Sequence, residues 1–198
     1  MNERNPYAPP IARVSDVVPA NSSGVVAPVF FAVSMLKYVV MSIATFGLYQ
    51  LYWFYMNWKL IKERESTDIQ PFWRAVFAVF FCYQCFSRIR EYQHPAVAVA
   101  RLPVGALATC WIILTLLWRL PDPYWWPSAL SFLVILPVQR RANQINSIVA
   151  PDHDRNNRLT WLNWVCVALF GLLVLLAIVG SLLPEEYTIE GTVDRGQL

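Results

Sequence analysis

From Trp161 to Leu183 the chain carries no Asp, Glu, Lys or Arg, and Pro184 closes the run. As an α-helix such a stretch is about 34 Å long, the thickness of a bilayer's hydrocarbon core. The rest of the composition agrees: 57% hydrophobic and 15% charged residues, with a mean hydropathy of +0.39, describe a chain too apolar and too poor in charge for an ordinary soluble domain. The expected fold class is therefore all-α, a polytopic helical membrane protein with four or five transmembrane helices plus interfacial amphipathic helices.

Hydropathy divides the chain. Residues 1–28 are dotted with prolines and show no helical periodicity, and read as a disordered proline-rich tail without the basic start and apolar core of a cleavable signal peptide. Residues 29–184 form the helical membrane domain. Its first span runs from Tyr38 to Trp58, about 31 Å as a helix, with Ser42, Thr45 and Gly47 mid-span where a kink or a close helix contact would form. The aromatic end of this span, with Tyr49, Tyr52, Trp53, Tyr55 and Trp58, matches an interface belt and leads into the cationic Lys59, Lys62 and Arg64.

Further spans are expected over 102–118, 125–138 and 161–183, the middle two joined by a tight turn at Pro121-Asp122-Pro123. The stretch 71–86 is shorter than a normal crossing and reads as a re-entrant helix or a short span. Val138, Ala142, Ile145 and Val149 recur at helical spacing beside a polar stripe, which predicts an amphipathic surface helix over 139–149. Residues 185–198 form an acidic tail. Most Lys and Arg fall after Trp58, between Arg88 and Arg101, and after Val138, so these segments are placed on the cytoplasmic side. Four spans put both termini outside and five put the N-terminus inside; either count makes the C-terminus periplasmic.

Thr45-Phe46-Gly47-Leu48-Tyr49 followed by Leu51-Tyr52-Trp53-Phe54-Tyr55 resembles the Thr-x-Gly-x-Tyr-x-x-Tyr-Trp-x-Tyr signature of an uncharacterised family of small multi-span bacterial inner-membrane proteins, a domain of unknown function. The resemblance is strongest from Lys37 to Ile89, and Pro137 to Asn143 and Asn163-Trp164 are similar to longer members. It implies a multi-pass protein of the bacterial inner membrane. It brings no catalytic residue with it.

Several polar side chains invite a function and also have a plainer explanation. Gln50 and Gln84 lie within apolar runs, where interhelical hydrogen bonds or a solute path would use them. Arg74 and Arg88 bracket the 71–86 helix as lipid-phosphate anchors or as functional intramembrane charges. Gln139, Asn143 and Asn146, with Arg140 and Arg141 nearby, form either the wet face of a surface helix or a contact for lipid headgroups or a partner. Cys82 and Cys85 make a Cys-x-x-Cys among phenylalanines, suited to packing more than to redox chemistry, which needs an accessible, stabilised thiolate. Asp152, His153 and Asp154 are adjacent and point apart, as in a solvated loop.

No catalytic residue, cofactor or metal site is expected. The function expected is a non-enzymatic inner-membrane protein whose partners are membrane lipid and other membrane proteins or a second copy of itself. A small-solute transporter or channel is the alternative. No soluble stretch offers a concentrated basic face for nucleic acid.

Overall fold

A computed structural model describes residues 27–98, 101–121 and 124–182. All regular structure among them is helical. The elements are α1 (Met35–Ala44), α2 (Leu48–Glu65), α3 (Pro71–Val76), α4 (Ala78–Arg90), α5 (Val104–Leu116), α6 (Ser131–Val149) and α7 (Trp161–Leu182), with 3-10 turns at Leu117–Arg119 and Trp126–Leu130. The tails expected over 1–28 and 185–198 lie outside the described residues, apart from 27 and 28.

The single helix expected over 38–58 is two helices. Ser34 caps α1, its hydroxyl accepting from the Lys37 amide at 3.2 Å. Thr45 ends α1 and starts α2: its hydroxyl donates to the Met41 carbonyl at 2.7 Å and accepts from the Tyr49 amide at 2.9 Å. Phe46 and Gly47 are both left-handed, at φ 49° and 86°, and the Gly47 amide bonds back to the Ser42 carbonyl at 2.8 Å. A Cβ on Gly47 would also lie 3.0 Å from Gln50 Nε2, so glycine is favoured here by both its backbone conformation and the space around it.

The chain then reverses. The Tyr52 ring meets Phe31 edge-on at 5.5 Å, Asn57 bonds the Phe31 amide, and Arg64 lies over the Phe30 ring. All three partners precede α1, so α2 runs back past the chain's own entry. Residues 30–33 are thereby held within the core without regular secondary structure.

The stretch 71–86 is also divided. Pro71 opens α3 in the position where its missing amide costs nothing, and Phe77, at φ −94° and ψ 36°, bends the chain into α4. Arg74 and Gln84 consequently touch across the bend at 3.2 Å. In the C-terminal half, α6 is continuous through Val138, with Pro137 inside it, so the expected span 125–138 and the expected surface helix 139–149 are one element preceded by a 3-10 turn. A single proline removes only one intrahelical bond and can bend a helix without ending it.

The core joins these elements around aromatic side chains. Phe54 packs against Trp53, Phe86 and Trp111 with ring centroids 5.1, 5.9 and 5.0 Å away, which ties α2 to α4 and α5. Ile135, Val138, Ala142 and Ile145 bring α6 onto the same centre. In contrast, α7 meets the rest through α1 and leaves most of its described side chains exposed. Among the described residues no helix is long and apolar enough to cross a membrane.

Candidate functional site

The polar stripe of α6 points inward. Gln139 and Asn146 are fully buried and Asn143 is half-buried, which corrects the wet surface face expected from the sequence. The helix turns this face to the backbone of residues 30–33. Asn146 grips Phe30 from both sides, its Oδ1 accepting from the Phe30 amide at 3.0 Å and its Nδ2 donating to the Phe30 carbonyl at 2.7 Å. Asn143 Nδ2 donates to the Val33 carbonyl at 2.9 Å. Gln139 Nε2 is shared among the Phe31 carbonyl at 3.1 Å, the Val33 carbonyl at 3.3 Å and Asn143 Oδ1 at 2.8 Å, while its Oε1 accepts from the Trp53 indole.

Because Phe30 meets Asn146 and Val33 meets Asn143 and Gln139, the segment runs antiparallel to α6. One turn of helix advances about 5.4 Å. Side-chain amides spaced a turn apart can therefore serve backbone groups at both ends of the segment.

Asn57 completes the cradle from the other side. Its Oδ1 accepts from the Phe31 amide at 3.2 Å and its Nδ2 donates to the Trp53 carbonyl at 3.0 Å. Asn156 Nδ2 reaches the Ala32 carbonyl at 3.2 Å and Lys37 Nζ donates to Asn156 Oδ1 at 2.7 Å and to the Arg158 carbonyl at 2.9 Å. Burial lowers the pKa of Lys37 from its ordinary value, and the charge of Asp154 opposes that shift. Arg64 closes the end, stacked over Phe30 and Tyr92 with its centre 4.7 and 5.2 Å from the rings and donating to the Val29 carbonyl at 3.3 Å. The sequence analysis does not single out Asn57 or Asn156 for a role, and it places Arg64 only in the cationic run after the first span. For Asn57 a signal existed, an amide inside the apolar run that also holds Gln50.

Gln50 lies in the core as a second polar node. Its Oε1 accepts from the Trp111 indole at 2.7 Å and its Nε2 donates to the Ser131 hydroxyl at 3.0 Å, which joins α2, α5 and α6. Gln84 is exposed, its Oε1 accepting from Arg74. Arg74 lies over Trp58 and Phe81, 4.5 and 5.0 Å from the ring centres. Arg88 is paired with Glu65, which also bonds Arg64 at 3.1 Å. Arg141 is buried and donates to the Ala98 carbonyl at 2.7 Å, whereas Arg140 is exposed. The candidates thus divide into the α6 clamp, the Gln50 node and the α2–α4 arginines, and they do not converge on one centre.

Cys82 and Cys85 are buried free thiols within the core cluster. His153 is buried and its Nδ1 hydrogen-bonds the Ala150 carbonyl, which keeps the proton on that nitrogen. Asp154 accepts from the Asn156 amide at 2.8 Å. Among the described residues, no three His, Cys, Asp or Glu side chains group as metal ligands. The clamp amides neither gain nor lose protons near neutrality and serve binding and positioning. Comparison with protein-family models, with curated proteins and with solved structures returned no match.

Proposed function

We propose that this protein is an integral membrane protein, polytopic and of the bacterial inner membrane, which acts without catalysis through contacts with lipid and with other membrane proteins. One observation carries the reading: large apolar side chains cover the outside of α7 and α4, while several amides lie inside an otherwise apolar core. Gln139, Asn146 and Asn57 are 0% exposed, whereas Phe80 is 75% and Trp161 72% exposed. Exposed apolar side chains are ordinary singly, but here they are contiguous along α7, where Leu162, Val165, Leu169, Leu172, Leu173 and Leu176 all face outward. Such a helix is stable when lipid tails or another apolar helix surround it.

In this reading α7 spans, its charge-free run continuing in sequence to Leu183, and α1 packs against it and joins it to the rest of the helices. Trp118, Trp125 and Trp126, exposed around the α5–α6 connection, would sit at one interface. Arg64, Arg88 and Arg90, at the ends of α2 and α4, would sit at the other. Contact is favoured over solute transport because both ends of the Gln50 amide are occupied by Trp111 and Ser131.

The test is fractionation of cells expressing the tagged chain, extraction with alkaline carbonate, and crosslinking in native membranes with mass spectrometry. The chain is expected to stay in the carbonate-resistant pellet and to capture a stoichiometric membrane partner. Release by carbonate would overturn membrane integration. Recovery without a partner, with membrane complexes intact on native gels after deletion, would overturn the contact role.

A further inference from the structure

A cavity of about 330 Å³ opens beside the clamp, where the first turn of α1, the C-terminal half of α6 and the loop after Pro151 meet. Arg140 and Arg155 line it, together with His153, Asn143, Ser34 and Ser147. No carboxylate is in its wall: Asp154 is turned to the Asn156 amide, and Asp152 is not among the lining residues. Both arginines are exposed, and among the described residues neither has a hydrogen-bond or ion-pair partner. This distinguishes them from Arg64, Arg74, Arg88 and Arg141, each of which is engaged by a ring, a carboxylate or a backbone carbonyl.

We propose that this cavity is a binding site for a phosphate group, held between Arg140 and Arg155. Two guanidinium groups on separate elements can offer paired N–H donors to the oxygens of one tetrahedral anion, a geometry that a single lysine cannot supply. The Ser147 hydroxyl is committed to the Gln144 carbonyl at 2.9 Å, while Ser34 adds a hydroxyl to the wall and the N-terminal end of α1 contributes the positive end of its dipole. The phosphate could belong to a lipid headgroup or to a soluble compound. The site goes beyond the membrane reading and does not depend on it.

The test uses the full chain in dodecyl maltoside, stripped of lipid, with thermal unfolding followed by tryptophan fluorescence. Inorganic phosphate is titrated at constant ionic strength against chloride. In parallel, mixed micelles containing phosphatidylglycerol are compared with micelles containing an uncharged galactolipid. Stabilisation by inorganic phosphate marks a soluble phosphate ligand, stabilisation by phosphatidylglycerol alone marks a headgroup, and either supports the site.

Arg140→Gln and Arg155→Gln are each expected to weaken the response by about tenfold or more, the scale of a lost charge-assisted pair. Arg140→Lys should restore only part of it. Both arginines being exposed and unpaired, the variants are expected to unfold at the wild-type temperature without ligand, which separates a lost site from a lost fold. No stabilisation by either probe, or full stabilisation in both glutamine variants, would overturn the proposal. Carbonate extraction reports on membrane integration independently of either result.

Discussion

Replacing Asn146 with alanine tests the clamp most directly. The fully buried side chain satisfies the Phe30 amide and the Phe30 carbonyl together, at 3.0 and 2.7 Å, and Phe30 is itself 0% exposed. Alanine leaves both backbone groups dry, and each unsatisfied group costs about 1–3 kcal/mol. The combined loss is about 2–6 kcal/mol, and for a chain of this size it should lower Tm by roughly 4–24 °C. Two readouts separate local from global damage: unfolding in detergent followed by tryptophan fluorescence, and hydrogen exchange at the Phe30 amide, which should speed up before the α2 and α6 amides do. Asn146→Asp keeps an acceptor for the amide but sets a carboxylate against the carbonyl, and should destabilise at least as much as alanine. Ser147→Ala, one residue along on the exposed side of α6, should change stability by less than about 0.5 kcal/mol. A Tm for Asn146→Ala within about 2 °C of wild type, with unchanged exchange at Phe30, would refute the claim that the amide holds the segment.

Gln50→Leu removes the partners of the Trp111 indole and the Ser131 hydroxyl, and should cost about 1–3 kcal/mol in the same thermal assay with a change in tryptophan emission; a neutral result would mean the node does not join α2 to α5 and α6. Gly47→Ala forces a Cβ into a left-handed turn and against Gln50 Nε2, and should destabilise by about 1–3 kcal/mol, whereas Phe46→Asn should be tolerated or mildly stabilising at its own left-handed φ. Cysteine labelling probes the surroundings. Cys110 on α5 is exposed while Cys82 and Cys85 are buried, so in water all but those two should react with a water-soluble maleimide. In intact membranes Cys110 should instead resist until SDS is added, and its prompt modification there would contradict the embedding of α5.

Hydropathy made the helical class and the run at 161–182 legible, because apolar periodicity over long stretches depends on few assumptions. The reversal at Thr45–Gly47 was not legible in that way. Small residues mid-span are equally compatible with a kink, and only the left-handed pair Phe46 and Gly47, with the Ser42 carbonyl receiving the Gly47 amide, makes them a turn. The polar stripe of α6 was found at the right spacing and assigned to the wrong surroundings. Amides seek hydrogen bonds without specifying whether water or backbone supplies them, and the backbone that does so here is 116 residues away in sequence, at Phe30. Arg74 and Arg88 were legible as charges at the ends of a short apolar helix. Their partners, the Trp58 and Phe81 rings and Glu65, depended on the bend at Phe77 and could not be read from composition.

The clamp also bears on why an apolar chain keeps so many amides inside. Where lipid tails solvate the outer face as well as leucine does, burying apolar surface no longer favours one helix arrangement over another, and packing and internal hydrogen bonds must select it. A buried segment outside any helix is the most demanding case, since its amides and carbonyls have no intrahelical partners and cannot be left dry and unpaired. Residues 30–33 meet that requirement by borrowing side chains from α2, α6 and the loop after Pro151, so these elements can close on the segment only in one register. Shifting α6 by one residue along its axis would rotate Gln139, Asn143 and Asn146 by about 100° and leave several backbone groups unpaired at once. The amides therefore act as a register lock, and the aromatic core of Trp53, Phe54 and Phe86 packs around a geometry they define.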